Sequence, residues 1–246
     1  LYTQIFDTYL NYLLSENFPI EFFIEGTRSR NGRLLPPQFG MLSRIVGGFA
    51  DGNASKLTFA PVGIDYDRIF EEGAYQRELK GGKKEKEGPL ALLKVLRSLA
   101  GRRGRVYLRF GEFIDVGEFC QARGFELGQS ATRREATREL AAEIVARIQE
   151  ARTVTGSALV AAGLLAGPGG PLHYRQLLDR AEFFRQLLIF RKVHLGVDLG
   201  PEAPFHSRQE ALEGALVRFQ DAGYVLAAGE DPGDTFEAVP AHYLQL

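Results

Sequence analysis

The sequence predicts an α/β domain, a mixed sheet flanked by helices, over residues 1–127, followed by a mainly helical region over residues 128–246. Two observations carry that division. Up to Phe110, apolar runs of strand length alternate with stretches of helical periodicity, the pattern of a layered α/β fold. From about Gly128 the periodicity is almost wholly helical. A third observation supports both parts: 45% apolar and 25% charged residues is a globular balance with no signature of disorder.

The elements follow in order. Residues 1–15 read as an amphipathic helix, with Tyr2, Phe6, Tyr9, Leu10 and Leu13 at helical spacing. After Pro19, the run Ile20-Glu21-Phe22-Phe23-Ile24 reads as a buried strand that stops at Glu25-Gly26. Gly32, Pro36, Pro37 and Gly40 make 27–40 a loop. Met41–Phe49 reads as a short helix, and Asp51-Gly52-Asn53 as a turn. A second strand is expected through Leu57–Tyr66, helices at Gly73–Leu79 and Pro89–Leu99, and a third strand at Arg105–Phe110. In that third strand Val106, Leu108 and Phe110 share one face.

Thr132-x-x-Glu135 has the form of a capping box, opening a helix with Leu140, Ile144, Val145 and Ile148 on one side. Further helical pattern covers Tyr174–Phe190 and Arg208–Gln220. Tyr224–Ala227 and Phe236–Val239 are spaced to pair as a hairpin. The longest uncharged run, Thr153–Tyr174, is broken by five glycines and two prolines. It predicts a short buried or interfacial helix near Ser157–Ala166 rather than a membrane span. No signal peptide is visible: Leu1 is not a methionine, and Asp7 interrupts the early apolar stretch. The chain is expected to be a piece of a longer protein.

The net charge of −1 hides an uneven distribution. Residues 77–109 hold eleven Lys/Arg against three Glu, whereas 201–246 hold two Arg against eight Asp/Glu. A basic stretch in a near-neutral chain fits an anionic partner such as a lipid surface, or simply a solvated face. The only cysteine, Cys120, excludes an internal disulfide and a cysteine-rich metal site.

The sharpest chemical feature is Phe22-Phe23-Ile24-Glu25-Gly26-Thr27-Arg28-Ser29-Arg30. Ligands of open α/β sheets bind at the carboxyl ends of strands, where this segment would place Glu25 and Gly26. Gly26 permits a sharp turn and close approach of backbone to ligand. Arg28 and Arg30, two residues apart in an extended loop, point the same way, so two planar guanidinium groups could grip one phosphate. Ser29 adds a hydroxyl and an N–H donor. The plainer alternative is a surface loop whose arginines pair with nearby acids, Glu25 among them.

The second feature is Pro61-Val62-Gly63-Ile64-Asp65-Tyr66-Asp67-Arg68. Pro61 lacks an N–H and so marks a strand start or edge. Val62 and Ile64 could line an apolar channel. Asp65 and Asp67 share a face if the strand continues, but no third ligand lies near in sequence and Arg68 stands ready to neutralise one of them, so no metal site is expected. Four histidines occur, at 173, 194, 206 and 242, all in the second half. No nucleophile elbow, P-loop or dinucleotide fingerprint is present in the sequence, and nothing points to nucleic acid.

Phe23-Ile24-Glu25-Gly26-Thr27-Arg28-Ser29-Arg30 resembles the third conserved block of glycerolipid acyltransferases, and Pro61-Val62-Gly63-Ile64-Asp65-Tyr66-Asp67 resembles the fourth. Gly32–Pro37, Glu78–Gly81, Lys84–Glu87, Arg109–Glu112 and the segment around Ser157–Val160 resemble the large bacterial membrane-bound glycerol-3-phosphate acyltransferase. The resemblance covers most of residues 1–190. It implies an acyltransferase-like mixed sheet, of which 1–127 would hold the substrate-binding half. It implies that Glu25, Gly26, Thr27, Arg28, Ser29 and Arg30 bind glycerol 3-phosphate, and that Pro61, Val62 and Ile64 shape the acyl-donor site. In the family a His-x4-Asp pair is the general base for attack of the sn-1 hydroxyl on an acyl thioester. No such pair lies in this sequence: His173 has Leu178 five positions on, and His194 has Asp198 at four. No catalytic residue is therefore expected within the chain, and the chain alone is expected to be inactive.

The resemblance further implies no cofactor and no metal, with acyl-CoA or an acyl-carrier-protein thioester as co-substrate. It implies an anionic membrane surface as partner, at the cytoplasmic face of the inner membrane. A dihydroxyacetone-phosphate acyltransferase, or a non-catalytic phosphate- or phospholipid-binding module, fits the same residues and stays open here.

Overall fold

A computed structural model of the protein describes residues 2–27, 34–67, 105–167, 170–227 and 235–238. The helices expected at 73–79 and 89–99 and most of the basic stretch 77–109 lie outside these residues. So do Arg28, Ser29, Arg30, Arg68 and His242. The chain divides into two compact units. One comprises residues 1–63 with 109–151, and the other 64–108 with 152–246. Position 128, where the sequence changes character, falls inside the first unit. The described residues mix helices with small antiparallel sheets.

In the first unit, helix α1 (Tyr2–Ser15) buries Leu10 and Leu14 against Ile45 of α2 (Phe39–Ala50). Gly48 makes that approach possible. A Cβ there would lie 2.7 Å from both Asn11 Oδ1 and Leu14 Cδ1. The other side of α2, Leu42 and Val46, packs with Leu140, Ala141 and Ile144 of α4 (Ser130–Glu150). Between α2 and α4 in the chain come β1 (Thr58–Phe59), β4 (Ile114–Asp115) and α3 (Val116–Arg123). β1 and β4 pair antiparallel, Thr58 opposite Asp115 and Phe59 opposite Ile114. Asp115 is also the N-cap of α3, its carboxylate accepting the Glu118 N–H at 3.1 Å. Gly124, at φ 70°, ends α3 in the left-handed conformation that only glycine adopts cheaply.

Three sequence expectations change here. Ile20–Ile24 is not a strand: residues 18–23 carry no regular structure, and Ile24 opens a turn. A strand needs a ladder with a neighbouring backbone, and among the described residues only the single Gln38 N–H bond to the Ile24 carbonyl reaches this segment from a neighbouring backbone. Its apolar side still buries Ile24, beside the half-buried Ile20 and Phe22. The long strand expected over Leu57–Tyr66 is broken at Ala60-Pro61 into β1 and β2 (Val62–Tyr66), because proline cannot donate to a ladder. The capping box at Thr132 is not formed. α4 begins at Ser130 with Gln129 as N-cap and no side-chain cap bond, so Thr132 lies inside the first turn.

β2 and β3 (Val106–Phe110) are hydrogen-bonded neighbours, and the boundary between the units runs through both strands. The Asp67 N–H donates to the Arg105 carbonyl at 3.0 Å, and the Gly111 N–H to that of Pro61 at 2.8 Å. This register sets Ile64 opposite Leu108 and Tyr66 opposite Val106. As expected, Val106, Leu108 and Phe110 share a face, but it is the exposed one.

In the second unit, α5 (Gly156–Leu165), α6 (Tyr174–Phe190) and α7 (Phe205–Asp221) enclose a core of Leu159, Val160, Leu177, Ala181, Leu199, Leu212, Leu216 and Phe219. A Cβ on Gly156 would stand 2.7 Å from the Ala211 carbonyl oxygen, so glycine sets how closely α5 meets α7. Arg185 is buried on α6, where it donates to the carbonyls of Leu199 and Gly200, each at 2.8 Å, and pairs with Glu182. The expected hairpin forms as β6 (Val225–Ala227) and β7 (Thr235–Ala238). β7 also pairs with β5 (Leu172–His173), making a three-stranded sheet. Among the described residues no helix is long and apolar enough to cross a membrane, and α5 is the short buried helix that the sequence predicts.

Candidate functional site

The turn at Ile24–Thr27 is built in three steps. Ile24 is buried and fixes the segment to the core of the first unit. The Gly26 N–H then closes on the Phe23 carbonyl at 3.0 Å, with Gly26 at φ 65°. Finally the Gln38 N–H donates to the Ile24 carbonyl at 2.7 Å. That bond joins Ile24 to the residue just ahead of α2. A Cβ at Gly26 would meet Gln38 Cγ at 2.9 Å, so both the backbone angle and the space call for glycine. Glu25 is half-buried, and Gly26 and Thr27 are exposed. The expected guanidinium pair of Arg28 and Arg30, with Ser29 between, follows directly in sequence and lies outside the described residues.

On β2 the expected acyl-donor residues divide between two faces. Val62 and Ile64 share the outer face with Tyr66, whereas Pro61 lies with Gly63 and Asp65 on the buried one. The Asp65 carboxylate is satisfied on both oxygens. Oδ1 accepts Arg152 Nε at 2.9 Å, and Oδ2 accepts the Thr153 N–H at 2.7 Å. Asp67 Oδ2 accepts the Arg105 N–H at 3.1 Å, and its carbonyl accepts the Ser157 hydroxyl at 3.3 Å. The two aspartates thus hold cation and backbone donors, and Arg152 does for Asp65 what Arg68 was expected to do. Tyr107 is half-buried beside this cluster. Burial first, then the Asp67 charge, pushes its hydroxyl above the ordinary tyrosine range.

Of the described histidines, His173 serves the fold through its side chain and His194 through its backbone. His173 caps α6, its Nδ1 accepting the Arg175 N–H at 3.2 Å, while Gln176 accepts the His173 N–H. The His194 carbonyl accepts the Val154 N–H at 2.8 Å. Asp198 pairs with Arg105. Sequence reasoning missed Arg152, Arg185 and the His173 cap. The first has its partner 87 positions away, which no local periodicity signals. The last was legible in principle, since a polar residue directly before a helical run is a cap signal.

Comparison with known proteins bears on what these residues serve. The family model described as glycerol-3-phosphate acyltransferase C-terminal region matches residues 75–245. The chain is 37% identical over 198 residues to a glycerol-3-phosphate acyltransferase of Pseudomonas fluorescens, covering 77% of this chain and 23% of that protein. It is 37% identical over 196 residues to one of Ectopseudomonas mendocina, covering 76% and 24%. With one of Pseudomonas putida the identity is 43% over 119 residues, 48% of this chain and 14% of the relative. The chain thus spans about a quarter of the length of the first of these relatives. With a family match over most of its residues, the chain belongs to the glycerol-3-phosphate acyltransferase C-terminal region family.

Proposed function

We propose that this chain is part of a glycerol-3-phosphate 1-O-acyltransferase of phospholipid biosynthesis, in which Glu25, Gly26, Thr27, Arg28, Ser29 and Arg30 hold the phosphate of glycerol 3-phosphate. The observation that carries the reading is the glycine-dependent turn at Gly26, joined to Gln38 through the Ile24 carbonyl and leading into Thr27-Arg28-Ser29-Arg30, in a chain of this family. Two forks following a fixed turn suit a phosphate dianion, because each guanidinium offers parallel donors and neither can lose its charge.

The donor is an acyl thioester of coenzyme A or acyl carrier protein, and no further cofactor takes part. Val62 and Ile64 face the acyl chain, with Pro61 setting the start of their strand in an acyltransferase-like sheet. The sn-1 hydroxyl attacks the thioester carbonyl, the C–S bond breaks and the thiol leaves. A His–Asp pair elsewhere in the whole protein takes the hydroxyl proton. The protein works at the cytoplasmic face of an anionic membrane. The 246-residue chain alone is expected to show no turnover.

The test is acyl transfer by the full-length protein with glycerol 3-phosphate or dihydroxyacetone phosphate as acceptor. Preference for glycerol 3-phosphate supports the reading. Preference for the ketone would favour the dihydroxyacetone-phosphate enzyme, and no transfer to either would favour a binding module.

A further inference from the structure

The chain enters α2 through a residue that caps it poorly. Ser, Thr, Asp and Asn are favoured directly before a helix, because a short side-chain oxygen reaches back to the first-turn N–H groups. Gln38 occupies that place in an extended conformation and makes no side-chain cap bond. It is exposed, so it adds little to the core either. What Gln38 does touch is the turn, on both sides of Glu25. Its N–H donates to the Ile24 carbonyl at 2.7 Å, and its side-chain stem lies against Gly26. A Cβ placed on Gly26 would stand 2.9 Å from Gln38 Cγ and 3.3 Å from Gln38 Cβ. Chain neighbours aside, nothing else among the described residues comes within 4 Å of that position.

Gly26 needs such a contact. Glycine populates positive and negative φ about equally, so the residue itself does not select the 65° adopted here. The bond from the Gly26 N–H to the Phe23 carbonyl, at 3.0 Å, holds one side of it. The Gln38 stem closes the other. Gln38 is in turn well fixed. Pro36 and Pro37 carry no N–H, so Gln38 offers the first main-chain donor after Leu35. Directly after it α2 begins, with Leu42, Ile45 and Val46 at 2% exposure or less. The course of the chain from Gly26 into Thr27 is thereby referred to the core of the first unit.

We propose that Gln38 is a positioning residue for the acceptor phosphate. Its stem fixes Gly26, and Gly26 sets the course of the chain into Thr27-Arg28-Ser29-Arg30. The amide at the tip of Gln38 takes no part. This deepens the acyl-transfer reading and rests on it, naming a residue outside the phosphate-binding segment that governs how well that segment binds.

The test uses the full-length protein, with glycerol 3-phosphate and the thioester varied in turn. Gln38→Ser removes the stem and supplies a better cap, so it separates the two roles open to this position. It is expected to raise the KM for glycerol 3-phosphate by about three- to tenfold. The KM for the thioester should stay unchanged, and the unfolding temperature should not fall. Gln38→Met keeps the stem without the amide and should stay within about twofold of the parent. Gln38 acts through the arginine segment, so in an Arg28→Ala background Gln38→Ser should raise the KM little further. An unchanged acceptor KM in Gln38→Ser, while Arg28→Ala raises it, would overturn this inference and spare the phosphate reading. Arg28→Ala without effect would remove both. A methionine variant as impaired as the serine one would move the role to the amide and overturn the proposal. Fully additive effects of Gln38→Ser and Arg28→Ala would overturn it too, as would a Gln38→Ser protein in which both KM values rise and the unfolding temperature falls, the pattern of a merely structural role.

Discussion

Asp65 binds Arg152 and the backbone of Thr153 at once, one carboxylate oxygen to each. The carboxylate is buried, whereas the Arg152 side chain is 41% exposed, so water screens that half of the pair more than the half at Thr153. Replacing Asp65 by alanine strands the buried Thr153 N–H and takes a carboxylate partner from Arg152. The expected cost is about 2–3 kcal/mol, the scale for charged hydrogen bonds lost at a buried site. Asp65→Asn, which keeps an acceptor, should cost about half of that. Hydrogen exchange at 64–67 and 153–160 reads it locally. Unchanged protection in Asp65→Ala would show that the network does not hold these segments.

Gly156 sets the contact of α5 with α7. Alanine there would place a methyl group 2.7 Å from the Ala211 carbonyl oxygen. Backbone has to move to relieve this, so Gly156→Ala is expected to destabilise the second unit by about 1–3 kcal/mol, despite the better helix propensity of alanine. Gly128→Ala, with nothing within 4 Å, is the neutral comparison. Urea denaturation of both variants checks the difference.

The α3 cap carries a pH dependence. The Glu118 N–H holds the Asp115 carboxyl below its ordinary range; burial opposes it, and the hydrogen bond and charge of Lys56 add to the lowering. A carboxyl whose folded pKa is depressed stabilises in full above its unfolded value. That contribution fades as pH falls through the folded one. Asp115→Ala should therefore cost about 1 kcal/mol near neutrality and progressively less in acid. Asp115→Asn keeps a cap and should lose the pH dependence. Denaturation of the three proteins near neutrality and in acid decides it.

Cys120 is buried against the core of the first unit, and burial pushes its thiol above the usual range. The thiolate is the reacting form. Labelling by a disulfide reagent at neutral pH is expected to be slow and to accelerate when the first unit opens. Fast labelling of the folded protein would contradict the burial.

What was legible in the sequence depended on range. Helices α1, α2, α6 and α7 and the β6–β7 hairpin carry their signal within a few turns or one loop, and periodicity found them. The strand expected at Ile20–Ile24 does not form, because a short apolar run ending at a glycine also suits an unpaired segment with one buried side. The Thr132 box has the right residues at the right spacing, but the N-cap of α4 is Gln129, three positions earlier. The cap of Asp65 by Arg152 and the third strand β5 join distant parts of the chain, so no window of sequence contains them. At the candidate site the need for glycine at 26 was legible, while the Gln38 clamp that explains it was not.

The central claim is that the segment after Gly26 reads a phosphate. It is tested most directly by the dependence of acyl transfer on glycerol 3-phosphate concentration in the full-length protein carrying Arg28→Ala. Loss of one charged clamp of about 1.5–3 kcal/mol predicts a KM for glycerol 3-phosphate raised by about ten- to a hundredfold, with the KM for the thioester unchanged. An unaltered KM for glycerol 3-phosphate would contradict the claim.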